Sequence, residues 1–309
     1  MTTRDTAAGS AAPPGWGRRL ELLADRKFRY LLIVPTVFLL LSVTVFPAIY
    51  TLIVSFQDIT LMAEDRSFHG LMNYQRLLED SRFWWSLVHT VGFLLAALAL
   101  QFVLGLLMAL LFVEWMPGRQ VFITLLVLPT VISPIVAGSA WRIMYEHQYG
   151  PISQIIGWLA ELDNPVLWTA DPTFVYPAIL LAEVWQWTPF MFLLLLAALV
   201  NVDKSQVESA EIDGSTYWRT FWYIVFPAIR PVVAVALLIR SLDLFRVFDK
   251  VWILTQGGPG TMTELISIYI YKVGFQQFQT SYAAAMTFVV IILLTAVVVL
   301  ALRRMGVSP

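Results

Sequence analysis

Six apolar runs, each long enough to cross a bilayer, constrain this chain more than any motif in it. They lie near residues 30–54, 87–113, 120–141, 174–200, 231–254 and 282–302. A spanning helix needs about 20 mostly apolar residues. Hydrocarbon offers no partners for backbone N–H and C=O groups, so each span must satisfy its own. The expected fold is therefore an all-α integral membrane protein. Residues 29–309 form one domain of six transmembrane helices, and residues 1–28 form a tail. The tail contains "TTRDTAAGSAAPP", which is small and polar and is expected to be disordered. The first run is too long for a signal-peptide core and lacks an A-x-A-like site, so it is read as an anchor.

Composition narrows the function classes. Only 13% of the residues are charged, and the net charge of −1 gives no argument for nucleic-acid binding. The absence of cysteine removes thiol catalysis and Cys-based metal sites. His69, His89 and His147 are scattered without metal-ligand spacing, so no metal is expected. A nucleotide-binding Gly-x4-Gly-Lys-Ser/Thr loop is also missing: only Lys204 precedes a serine, and no glycines stand upstream in register. The glycine-rich "QGGPG" (Gln256 to Gly260) follows a span and reads as a tight turn.

Positive charge orients the spans. Arg4, Arg18, Arg19, Arg26, Lys27, Arg29, Arg119, Lys204, Arg219, Arg230, Arg303 and Arg304 fall on one side. The other side carries Arg66, Arg76, Arg82, Arg142 and Lys272. Twelve against five places both termini in the cytoplasm. Phe83, Trp84 and Trp85 on the outer side read as interface anchors. Residues 264–275 are apolar but too short to span, and read as an interfacial or re-entrant segment.

The long inner loop, about residues 201–230, has the chemistry of two short helices joined at a glycine. Asp203 and Gln206 have capping-box spacing. Gly214 suits the left-handed end of a helix, and Ser215 suits the cap of the next. Pro227 and Pro231 are expected to break that second helix and start the fifth span. Spacing alone fits equally a helix pair that only turns the chain around.

The residues of this loop carry a resemblance. Glu208, Ser209, Ala210, Asp213, Gly214, Ser215, Phe221, Ile224, Pro227 and Pro231 resemble the EAA loop of bacterial ABC-importer permeases. "GLMNY", "VWQWTPF", "DLFRVFDKVWILTQGGPG" and "YIYKVGFQQFQTSYAAAM" are similar to segments of carbohydrate-importer permeases, the third to the larger maltose-permease-type subunit. Ser209, Ser215, Phe226, His89 and Ser281 depart from the usual residues.

The resemblance implies a permease subunit of a binding-protein-dependent importer for a sugar or sugar derivative. Such a subunit forms half of a translocation pathway and works by alternating access in a bacterial inner membrane. It is not an enzyme and holds no cofactor. ATP and magnesium belong to two separate cytoplasmic ATPase subunits, and a second permease and an extracytoplasmic binding protein complete the assembly. The loop then acts as a coupling helix. Ala210 and Gly214 are expected to make close contact with the ATPase, and Glu208 and Asp213 polar contact. The alternative is an ion-coupled secondary transporter of a small polar solute, needing no ATPase.

The fifth run is unusual in carrying charge: "RSLDLFRVFDK" places Arg240, Asp243, Arg246 and Asp249 at i, i+3 spacing with alternating sign, followed by Lys250. Charges within a membrane face the bundle interior or a water-filled path and pair with one another. On a straight helix this row winds as a stripe, with Asp243 near mid-membrane. It is either an ion-pair network between helices or a polar wall on the substrate path. The interleaved Phe245, Phe248 and Trp252 suit the path, because sugars present hydroxyls and C–H faces. Glu183, inside the fourth run, either lines the same cavity or pairs with an arginine.

Overall fold

The computed structural model describes residues 16–60, 63–114, 116–159, 161 and 166–304. It divides into two units, Met1–Val54 and Ser55–Pro309. The first unit is occupied by α1 (Trp16–Ser55), whose part from Ile33 onward is long and apolar enough to span. Its start lies within residues 1–28, which the sequence reading assigned to the tail. Residues 16–28 are helical, because "LELLA" (Leu20 to Ala24) supplies strong helix formers directly upstream of the apolar run. The rest of the tail, residues 1–15, lies outside the described residues.

The second unit opens with a hairpin that the periodicity did not reveal, β1 (Gln57–Thr60) against β2 (Ala63–Phe68). The Ser281 hydroxyl accepts the Ile59 N–H at 2.8 Å, and Asn73 donates to the Ser55 and Gln57 carbonyls at 2.9 Å. Then follow α2 (Met72–Glu79), α3 (Ser81–Val113), α4 (Arg119–Val131), α5 (Pro134–Met144), α6 (Pro151–Leu159) and α7 (Val175–Val200). The chain continues through α8 (Lys204–Ile212), α9 (Tyr217–Thr220), a π-helical turn (Phe221–Val225), α10 (Phe226–Phe245) and α11 (Asp249–Thr255). It ends with α12 (Ile266–Tyr271), a second π turn (Lys272–Gln276) and α13 (Thr280–Arg304). The hairpin marks one end of this unit and α8 the other, joined by the 33 residues of α3.

Two spans depart from straight helices. The third is α4 and α5, which meet at 96°. Pro134 cannot donate to the preceding turn and forces Ser133 into extended backbone. The described residues thus hold five helices able to span, or six if this bent pair is one span. The fifth run stops as a helix at Phe245 and resumes at Asp249 as α11. The stripe expected on one straight helix is therefore broken at Arg246.

The prolines of the loop act differently from expectation. Tyr217 to Phe245 forms one continuous helical span. The π turn just before Pro227 widens the helix where a proline ring would otherwise press on the carbonyl four residues back. Thr216, not Ser215, occupies the position before α9.

Packing is closest between α3 and α7, where a Cβ on Gly105 would sit 3.0 Å from the Met191 side chain. Ala97 and Ala109 of α3 and Ala182 of α7 are fully buried, as is Ala236 of α10, which packs against both. Small residues let membrane helices approach closely without a hydrophobic driving force from water. Phe83 is buried in the core rather than serving as an interface anchor, while Trp85 is exposed. The 264–275 segment is likewise core: Glu264, Leu265, Ile266, Ile268, Tyr269 and Val273 are all buried.

Candidate functional site

Polar chemistry gathers in three places. The first is α8. The Asp203 carboxylate caps it by accepting the Ser205 N–H at 2.9 Å, one position short of the capping-box geometry. At the other end Gly214 has φ +78°, the Gly214 N–H donates to the Glu211 carbonyl at 3.0 Å, and the Ser215 N–H donates to the Ala210 carbonyl at 2.9 Å. That pair of bonds is a complete Schellman closure, so both ends of this nine-residue helix are satisfied locally. Ile212, which sequence reasoning passed over, is 87% exposed at its tip, beside exposed Asp213 and Gly214. Ala210 is half-buried. Glu208 and Glu211 turn instead towards a cavity of about 720 Å³ that they share with Glu114, Arg119 and Lys204.

The second place lies deep in the bundle. Arg240 is 1% exposed and uses every edge of its guanidinium. It donates to Glu183 at 2.8 Å and to the Gln101 side-chain amide oxygen at 3.0 Å, lies 3.6 Å from Asp243, and stacks 4.7 Å over Trp187. The second oxygen of Glu183 pairs with buried Lys250. Arg240, Asp243 and Lys250 were expected in one charged stripe, and Glu183 either at the cavity or on an arginine; Glu183 takes Arg240, and Gln101 and Trp187 join from α3 and α7. Gly138 of α5 leaves room for Lys250: a Cβ there would lie 3.3 Å from the Lys250 Cα.

From this cluster a mixed face emerges. Asp243 accepts from Arg246 at 2.7 Å, and the Arg246 side chain is 77% exposed. Asp249 is exposed. Phe248 stacks on Trp252 at 5.6 Å with an interplanar angle of 12°. Tyr271 meets Trp252 at 4.9 Å, and Phe275 extends the column at 5.3 Å. Phe245 leaves this group and packs against the buried cluster that includes Phe83, Ile266 and Tyr269. Tyr271 and Phe275 come from a segment some 20 residues later, and the "YIYKVGF" pattern was their only sequence signal.

The third place closes the hairpin end. Glu264 is buried and accepts from Arg82 at 2.6 and 2.8 Å and from Lys272 at 2.8 Å. Asp80 accepts from the Tyr269 and Tyr282 hydroxyls, both at 2.6 Å. Burial pushes the Glu264 carboxyl up, but its bonds from Arg82 and Lys272 outweigh that and hold it below the usual value of 4.5. A depressed carboxylate contributes stability that is present above its unfolded value and is lost as pH falls through the folded one. The intact chain should therefore lose stability as pH falls from 4.5, and Glu264→Gln should flatten that dependence in acid-denaturation curves. An unchanged acid limb would remove Glu264 from this role.

Comparison with known proteins places this geometry. The family described as "Binding-protein-dependent transport system inner membrane component" matches residues 101–306, more than half of the chain. The chain belongs to this family. The matched stretch begins at Gln101 and contains α8, the buried cluster and the aromatic column. This is a multi-pass membrane translocation component of ABC-transporter type, not an enzyme. Among relatives, the trehalose/maltose transport system permease protein MalF of Thermococcus litoralis is 36% identical over 249 residues, covering 80% of this chain and 83% of that one. The trehalose transport system permease protein SugA of Mycobacterium tuberculosis is 32% identical over 288 residues, covering 93% and 90%. A chain of a bacterial ABC transporter that imports the acidic polysaccharide alginate has the same fold, with a TM-score of 0.81 at 23% identity over 93% of this chain and 98% of that one. Family membership does not favour the ion-coupled alternative.

Proposed function

We propose that this chain is a permease subunit of an ATP-driven importer for a sugar or sugar derivative, and that it forms half of the path. The observation that carries the coupling is α8, a short helix closed at both ends with an exposed apolar tip. Local closure lets it move as a rigid body, and Ile212 with Gly214 offers a knob that a separate ATPase can seat. Glu208 acts on the inner side of α8, through the cavity with Arg119 and Lys204, while Asp213 meets the ATPase. ATP and magnesium are held by two such ATPase subunits. A second permease completes the path, a binding protein delivers cargo from outside, both termini are cytoplasmic, and access alternates.

The cargo class rests on the relatives named for trehalose and maltose, and on the mixed face. Rings at Phe248, Trp252, Tyr271 and Phe275 offer stacking surfaces, while Arg246, Asp243 and Asp249 offer hydrogen bonds to hydroxyls. The test is uptake of labelled trehalose or maltose by the whole transporter in proteoliposomes. Uptake should need ATP on the α8 side and the binding protein, and uptake driven by an ion gradient alone would sink the reading.

Arg246→Ala tests the face. Its side chain is largely exposed, so folding should be unaffected. Loss of one charge-assisted hydrogen bond, roughly 1.5–3 kcal/mol, should cut uptake by about tenfold or more at unchanged expression. Normal uptake with reduced yield would make Arg246 a structural residue.

A further inference from the structure

We infer that Glu183 is a positioning residue, a clasp that sets the angle between the two halves of the broken fifth span. The helical ladder of α10 ends at Phe245, and Arg246, Val247 and Phe248 lie between it and α11. Phe248 has φ −137° and ψ −58°, so the backbone turns there. Local bonding does little to define that turn. Val247 N–H reaches the Leu244 carbonyl at 3.3 Å, and the Val247 carbonyl is taken up by the Ser267 hydroxyl at 2.6 Å.

Two ion pairs reach across the break through one side chain of a third helix. One oxygen of Glu183 takes Arg240 of α10 at 2.8 Å; the other takes Lys250 of α11. Glu183 is itself 2% exposed and sits in α7, whose contact with α3 is the most extensive in the unit. Gln101 of α3 steadies the assembly, receiving the Arg240 Nε–H at 3.0 Å and reaching the Glu183 backbone carbonyl at 3.4 Å. The carboxylates of Glu183 and Asp243 balance the cations of Arg240 and Lys250. A carboxylate on a buried helix, with one oxygen for each cation, ties both segments to the same point. Arg246 and Phe248 ride on the segment between the pins, so the clasp fixes where they stand. Its effect on uptake rests on the path proposed above; its effect on the break angle does not.

The chain has no cysteine, so two can be introduced for spin labels at exposed Ile239 on α10 and exposed Gln256 just after α11. Distances are read by double electron–electron resonance in the assembled transporter without substrate. The parent should give one narrow distribution. The charge-balanced variant Glu183→Gln with Lys250→Gln should broaden or split it. Lys250→Met, which cuts only the α11 arm and keeps the Arg240–Glu183 pair, should do the same if the double variant fails to assemble. A role in folding alone would lower yield and leave the distribution narrow. A narrow, unshifted distribution in either variant overturns the clasp, whatever happens to uptake.

Discussion

Replacing Gly214 by tryptophan is expected to abolish ATP-driven uptake and ATPase stimulation while the chain still inserts and assembles. Gly214 has φ +78° and closes α8, and no heavy atom beyond its own chain neighbours lies within 4 Å of where its Cβ would stand. The substitution therefore crowds nothing inside the chain. A left-handed non-glycine residue costs about 1–2 kcal/mol locally, too little to unfold a six-span domain. The indole instead projects beside Ile212 at the tip proposed to enter the ATPase. Blocking the centre of such a contact removes about 2 kcal/mol or more, roughly 30-fold in affinity. Gly214→Asn separates the two effects, because asparagine tolerates the left-handed conformation and adds little bulk. It should retain most coupling. The measurements are labelled-sugar uptake and phosphate release in proteoliposomes. Normal coupled transport by the tryptophan variant would refute α8 as the coupling element.

The second large effect concerns stability. Arg240→Met should lower the thermal stability of the detergent-solubilised transporter far more than Arg246→Ala does. Arg240 is buried with Glu183, Gln101, Asp243 and Trp187 around its guanidinium. Removing one partner of a buried ion pair leaves an uncompensated charge and costs about 3–5 kcal/mol. Lysine should not rescue it, since a single ammonium cannot replace three edges of a planar fork. Thermal denaturation followed by monodisperse size exclusion checks this. If both variants melt with the parent, the cluster contributes nothing to the fold.

These two residues mark how much could be read before the structure. Gly214 was legible because a Schellman ending is local: one glycine, one cap and the helix between them determine it. Arg240 was legible as a charge that must be paired, and Asp243 and Glu183 as candidate partners, but Gln101 and the reach of Lys250 to the same carboxylate were not. Gln101 lies 139 positions away and Lys250 lies beyond a helix break. The break itself contains neither glycine nor proline, so no local signal announces it. It holds because Ser267, Glu183 and Gly138 accommodate it from three other segments. The hairpin escaped for a similar reason. Its strands are short and polar, and Ser281, more than 200 residues away, holds one of them.

By itself the sequence determined the class: apolar length obliges helices to span, and the loop after the fourth span closes into a capped helix. Each follows from forces acting within about twenty neighbouring residues. Only the tertiary structure decided which charges became glue and which remained available. Arg240 and Arg246 are six residues apart with the same chemistry, yet one is 1% and the other 77% exposed at the side chain. Burial of a charge depends on whether a counter-charge from another helix arrives at the same depth. That is a property of the packed bundle rather than of any stretch of chain.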